Sequence, residues 1–275
     1  MKKVLLSTFV TLAIIVVILV YKKQFWSSGL AGIDAFQTIC VKQAEAKNVN
    51  SEICKSISKE FFRTSEAVED LVPEVLGAPA LPTDAKTKIV VVLDPRYVAQ
   101  LAYCYFQFRG WFDPKSFSPE ALSLATSGFA ILKEEMEGYV EWQNSDLGKD
   151  CARKVLKYAG SEMHDLTSIF HDHESLIAIN PVAAIQTGRG VEDVKNEALL
   201  TINHERIHVL QSLCKKLNQI AVKMWSSLPN AKKEKMKKKF PAYDWSNPVV
   251  AARENLAFNY ETKPLEVLRL VNCKY

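Results

Sequence analysis

The stretch Ala198-Leu-Leu-Thr-Ile-Asn-His-Glu-Arg-Ile-His-Val-Leu-Gln-Ser-Leu213 carries most of what the chain discloses about itself. Ala198, Leu199 and Ile202 precede a polar cluster, and Ile207, Val209, Leu210, Leu213 and Leu217 follow it. That spacing predicts a buried helix, part of a helical pattern running from Glu192 to about Asn218. His204 and His208 stand four residues apart, so on a helix their imidazoles project from one face, the geometry two metal ligands need. A buried His-Glu-His cluster without a cation would carry a heavy desolvation cost, which metal coordination offsets. With zinc as the cation the stretch supports hydrolysis, Glu205 accepting the proton of an attacking water and passing it to the leaving amine.

Outward from the motif, Ser175 to Gln186 is apolar, interrupted by Pro181, and reads as an edge strand or extended loop. Lys88-Ile-Val-Val-Val-Leu-Asp94 is a short β-branched run ended by Pro95, the pattern of a buried strand. Tyr103-Cys-Tyr-Phe-Gln-Phe108, followed by Gly110, also reads as a strand, whereas residues 119–142 and 145–170 read as mostly helical. Downstream, Pro248 to Tyr260 predicts a helix, with Pro248 in its first turn and Ala251, Ala252, Leu256 and Ala257 as helix formers. Apolar residues make up 48% and charged residues 24% of 275, values that argue for a substantial core and against disorder. The net charge of +4 is modest, and much of it sits in the lysine run of residues 232–239, so nothing requires a nucleic-acid partner. That run reads as a solvated helix face or loop, with contact to anionic lipid headgroups as its other reading.

At the N-terminus, Lys2-Lys3 and Lys22-Lys23 bracket an uncharged stretch from Val4 to Tyr21. Roughly 18 helical residues span about 27 Å, enough for a thin hydrocarbon core, and longer than the apolar region of a cleaved leader. Residues 1–23 are therefore expected to be an uncleaved signal-anchor that exports the rest of the chain to the extracytoplasmic side. Six cysteines form an even set that suits an oxidising compartment, with Cys40 and Cys54 the expected pair. Residues 33–71 have helical spacing, with a turn at Asn48–Ser51 and Ser51 as N-cap, so residues 24–72 are expected to form a small juxtamembrane module. Residues 73–87, rich in Pro, Ala and Thr, read as a linker to a catalytic domain over 88–275.

The motif His204-Glu-Arg-Ile-His-Val-Leu-Gln211 resembles the zincin metallopeptidases over those eight residues. The resemblance implies a predominantly helical α+β domain with a small sheet, a zinc ion, and a peptide or protein substrate. Position 211 is Gln and no histidine follows His208, which excludes a downstream third histidine. Unless it comes from upstream, the third ligand is a carboxylate, as the resemblance to glutamate-type zincins implies, with Glu254, Glu261 and Glu266 as candidates. Glu254 is favoured, because it lies among small residues on the predicted downstream helix, where that group carries its glutamate. Glu261 is seven residues on and shares its face. The resemblance also implies that Ser175–Gln186 is the substrate-binding edge strand, with Ile177 to Asn180 along the cleft. His171-Asp172-His173-Glu174 reads as a polar loop, and His164, Tyr243, Arg253 or that cluster are candidates for the hydrogen-bond donor to the transition state. The alternative function is a tethered binding or assembly protein that keeps the fold without turnover, against which the intact Glu205 argues. A carboxylate-bridged di-iron site would need a second Glu-x-x-His, and the chain has none.

Overall fold

The computed structural model describes residues 37, 38, 40–42, 44, 45, 50–61, 68–71, 76–92, 94–112, 117–160, 170–185, 191–241, 243–271 and 273. The expected anchor at 1–23 lies outside them. Among the described residues, no helix is long and apolar enough to cross a membrane.

A four-stranded mixed sheet forms the centre, from β1 (Val68–Asp70), β2 (Thr87–Val92), β3 (Gly128–Leu132) and β4 (Ser175–Ile179), in the order β1-β2-β4-β3. β2 and β4 pair in parallel, with Ile89 opposite Ile177, while β1 on β2 and β3 on β4 are antiparallel. Side chains alternate across the sheet as the strand period requires. Ile89, Val91, Ala130, Leu132, Ile177 and Ile179 face one apolar cluster, and Val90, Val92, Phe129, Ile131, Leu176 and Ala178 face another. Burial on both faces explains why these strands read as unbroken apolar runs.

The first face is covered by the motif helix α8 (Val191–Leu213), through Val194, Ala198, Ile202 and Val209, and by helical residues that include Cys40 and Ala44, with α1 (Glu52–Phe61). The Cys40–Cys54 disulfide joins those residues to α1, the pairing its spacing had indicated. The capping acceptor for α1 is Asn50, whose side chain takes the Glu52 N–H, not Ser51. Helix does not continue to residue 71, because Val68–Asp70 adds β1 to the sheet's outer edge. Residues 76–86 are not an open tether either, since Ala78, Leu81 and Thr83 are buried.

The second face carries an aromatic layer. α2 (Pro95–Val98), a π-helical turn (Ala99–Tyr103) and α3 (Cys104–Phe108) run on without a break, so Tyr103–Phe108 is helical and not a strand. Residues 99–106 are all buried, and burial on every side removes the periodicity that separates helix from strand. α4 (Pro119–Ala125), α5 (Met136–Gln143) and α6 (Asp146–Ala159) complete the layer, with Cys104–Cys151 joining α3 to α6. β3 interrupts the stretch 119–142 that had read as helix.

The third cluster joins the second half of α8 to α9 (Lys215–Ser227), α11 (Pro248–Tyr260) and α12 (Pro264–Leu270), through Ile207, Leu210, Leu217, Leu256 and Val267. The long pattern from Glu192 to Asn218 is two helices, broken where Cys214 turns to an extended conformation (φ −127°) and pairs with Cys273. α10 (Asn230–Lys239) carries the lysine run and buries none of its residues. α7 (Pro181–Ala184) follows β4.

Candidate metal centre

α8 crosses the interior, and from Thr201 to Gln211 every residue is buried. A helix in that position has no solvent face on which to spend its polar side chains, so each must find a partner inside. His204, His208 and Glu254 find one another, and one ligating atom from each lies within 4.8 Å of the others. His204 Nε2 is 3.1 Å from Glu254 Oε2, and His208 Nε2 is 3.3 Å from Glu254 Oε1. α11 brings in Glu254 as its sequence predicted. Asn247 caps the helix by accepting from the Val249 and Val250 N–H groups, Pro248 opens it, and Ala251, Ala252 and Ala257 are buried around Glu254.

The two outer imidazole nitrogens are also held. His204 Nδ1 lies 3.0 Å from Glu261 Oε2, whose backbone carbonyl accepts from Asn203. His208 Nδ1 lies 2.9 Å from Gln211 Oε1, and the Gln211 amide donates onward to the Arg253 carbonyl. Imidazoles that ligate a metal through one nitrogen characteristically present the other to a carboxylate or amide. Glu261 therefore stands behind His204, outside the triad. Glu266 is turned away to an exposed pair with Lys263. Gln211 escaped the sequence reading, although its place one helical turn after His208 was the available signal. Two imidazoles and a carboxylate, buried and braced from behind, fit a divalent metal.

Electrostatics within the cluster run as the geometry requires. Burial works against a charged His204, but the hydrogen bonds to Glu254 and Glu261 outweigh it and hold its pKa up at about 10. Burial likewise opposes the charge on Glu254, but His208 and His204 keep it well below the ordinary carboxylate range. Glu205 goes the other way: burial pushes its carboxyl up, against the pull of His208 and His204. It accepts a hydrogen bond from the Ala130 backbone N–H of β3.

The triad opens into a cleft of about 590 Å³. One wall is aromatic, from Phe106 of α3, Trp111, Phe112, Phe117 and Phe129 of β3. The other comes from the loop after α10, where Phe240 stacks on Phe258 at 3.9 Å between ring centres and Phe258 packs on His204. Tyr243 lies in the cleft hydrogen-bonded to Glu254, and burial followed by the nearby carboxylates raises its phenol well above the usual value. β4 is not the strand beside the cleft, because it is sandwiched between β2 and β3. Ser127, Gly128 and Phe129 of the outer strand β3 line the cleft instead. Gly128 permits this approach to α8, since a Cβ there would run into the Thr201 side chain and the Ala178 carbonyl. His171 is exposed beside Asp172 and neither lines the cleft. His164 lies outside the described residues.

Comparison of the chain with protein-family models, with curated proteins and with solved structures gives no significant match. The three disulfides fit a domain placed in an oxidising, extracytoplasmic compartment.

Proposed function

We propose that the protein is a membrane-anchored zinc peptidase, in which His204, His208 and Glu254 hold the metal and Glu205 is the general base. The observation that carries this reading is the convergence of both Nε2 atoms on Glu254 with Glu205 adjacent and both Nδ1 atoms braced. His204, His208 and Glu254 would hold the zinc, which would supply polarisation of a carbonyl and a water acidified to near neutrality. Glu205 takes the proton of the attacking water at its carboxylate and returns it to the departing amine nitrogen. Tyr243, whose hydroxyl bonds to Glu254 in the cleft, would turn that one O–H to the oxygen on which negative charge develops.

An extended peptide fits along β3. Ser127 and Lys133 exchange backbone hydrogen bonds toward β4, so by antiparallel alternation residues 128, 130 and 132 direct theirs outward. The Ala130 N–H is taken by Glu205 and the Leu132 N–H meets the Tyr105 hydroxyl. The Gly128 backbone and the Ala130 carbonyl would then pair with substrate. The N-terminal apolar segment would tether the domain to a membrane, with substrate drawn from the extracytoplasmic side.

Metal content of the purified protein tests the centre. About one zinc per chain is expected in the wild type, lost in His204→Ala and Glu254→Ala. Glu261→Ala is expected to keep the metal with affinity weakened by about 10- to 100-fold, the usual cost of an orienting partner. Zinc absent from folded, zinc-supplemented wild type would refute the reading.

The binding should also depend on pH with a definite sign. In the metal-free protein His204, raised to about 10, holds its proton through neutrality. The stability that this proton contributes is complete below the unfolded value of about 6.5 and is lost as pH rises through about 10. Metal must displace that proton, so apparent zinc affinity is expected to rise about tenfold per pH unit between pH 6 and 8. Competition against a chromophoric chelator measures it, and a flat profile would show that His204 binds no proton there.

A further inference from the structure

Phe106, Trp111, Phe112, Phe117, Leu122 and Phe129 form one continuous bay of the cleft. The rings interlock, Phe106 with Trp111 at 5.0 Å and with Phe129 at 5.6 Å, and Phe112 with Phe117 at 6.1 Å. Phe106, Phe112 and Phe129 are buried and fixed by the aromatic layer behind them, whereas Trp111 and Phe117 are half-buried at the mouth. The bay and the reacting groups line one cleft, and on β3 Phe129 directly precedes Ala130, whose N–H bonds to Glu205.

We infer that this bay is the selectivity pocket of the site and receives a bulky apolar or aromatic side chain next to the bond that is cut. The inference rests on the peptidase reading and specifies its substrate class. None of the bay's six side chains carries charge; Arg109 is paired with Glu135 and lies over the Trp111 ring, and Lys239, the described cation that lines the cleft, lies over the Phe240 ring of the other wall. A charged substrate side chain would be desolvated there without compensation. The carboxylates lining the cleft, Glu197, Glu205, Glu254 and Glu261, lie on α8 or at α11, so an acidic side chain would be repelled from them as well. An apolar ring gains from the removal of its surface from water and pays little ordering cost, since the deep walls are already in place.

The test compares two small zinc-binding probes, L-phenylalanine hydroxamate and L-alanine hydroxamate, which differ only in the ring. Their affinities are measured by titration calorimetry on zinc-loaded full-length protein in nanodiscs, with empty discs as blank. Phenylalanine hydroxamate is expected to bind roughly 10- to 100-fold more tightly. The ratio should fall below about 3-fold in Trp111→Ala or Phe117→Ala, each checked for retained zinc as the sign of a folded site. Equal affinities in the wild type, or a ratio that survives both substitutions, would overturn the inference while leaving the metal centre intact. Failure of both probes to bind zinc-loaded protein would count instead against the peptidase reading itself.

Discussion

Glu205→Gln is expected to lower peptide hydrolysis by about 10²- to 10⁴-fold while the zinc content stays at the wild-type level. The substitution is nearly isosteric, and the amide oxygen can still accept the Ala130 N–H that the carboxylate accepts now. It removes only the capacity to take a proton. Glu205 is not among the three residues whose ligating atoms converge, so the metal has no reason to leave with its charge. Burial raises the Glu205 carboxyl above its ordinary value, which brings a base closer to its working pH. The carboxyl must be ionised to act, so the wild-type rate should fall on the acid side as Glu205 takes up a proton, and that limb should vanish in the variant's residual rate. A quenched-fluorescent peptide library, with metal analysis of the same samples, measures both. Undiminished hydrolysis in a zinc-replete Glu205→Gln protein would exclude Glu205 as the base.

Much of the centre could be read from local sequence because its parts are helical and short in range. His204 and His208 share a face by spacing alone, and Asn247-Pro248 with the alanines after it announces α11 and so the neighbourhood of Glu254. What spacing could not distinguish was Glu254 from Glu261. Both approach His204, one at Nε2 and the other at Nδ1, and that choice depends on how α11 packs against α8.

The sheet was harder to read for the same physical reason. Within Gly128–Leu132, Phe129 to Leu132 is a fully buried apolar run with no alternation, so nothing local separates it from the helices on either side. β4 was recognisable as extended, but its interior position follows from pairing with Thr87–Val92 and Gly128–Leu132, both distant in sequence. Pro181 marked the end of β4 correctly, and it does so by opening α7 at its first turn, with the Asn180 side chain accepting from the Val182 N–H. The break at Cys214 left no trace in the apolar pattern, because Leu210, Leu213 and Leu217 keep helical spacing across it.

Arg206→Met is expected to destabilise the protein by about 3 to 5 kcal/mol, the usual cost of leaving one member of a buried ion pair without its partner. Arg206 sits between the two histidines in sequence, yet its side chain serves a different purpose. It is fully buried and donates from Nη1 to the Pro79 carbonyl at 3.0 Å and from Nη2 to Asp84 Oδ2 at 2.7 Å. Asp84 in turn accepts the Leu81 N–H, so one guanidinium fastens the whole of residues 79–84 onto the motif helix. Methionine fills a similar volume and leaves Asp84 facing the vacated position with only part of its surface in water. For a domain of this size the loss corresponds to a melting temperature lower by roughly 6 to 20 °C, compared at equal zinc concentration because bound metal itself adds stability. Asp84→Asn in the same background should restore part of the difference, since the uncompensated charge is then gone. At temperatures where Arg206→Met remains folded it should still bind about one zinc per chain. An unchanged melting temperature would mean that the pair does not hold the 79–84 segment to α8. Loss of zinc from folded Arg206→Met would mean that the segment helps position His204 and His208, giving a residue inside the motif a role in metal binding that its burial and its partners do not require.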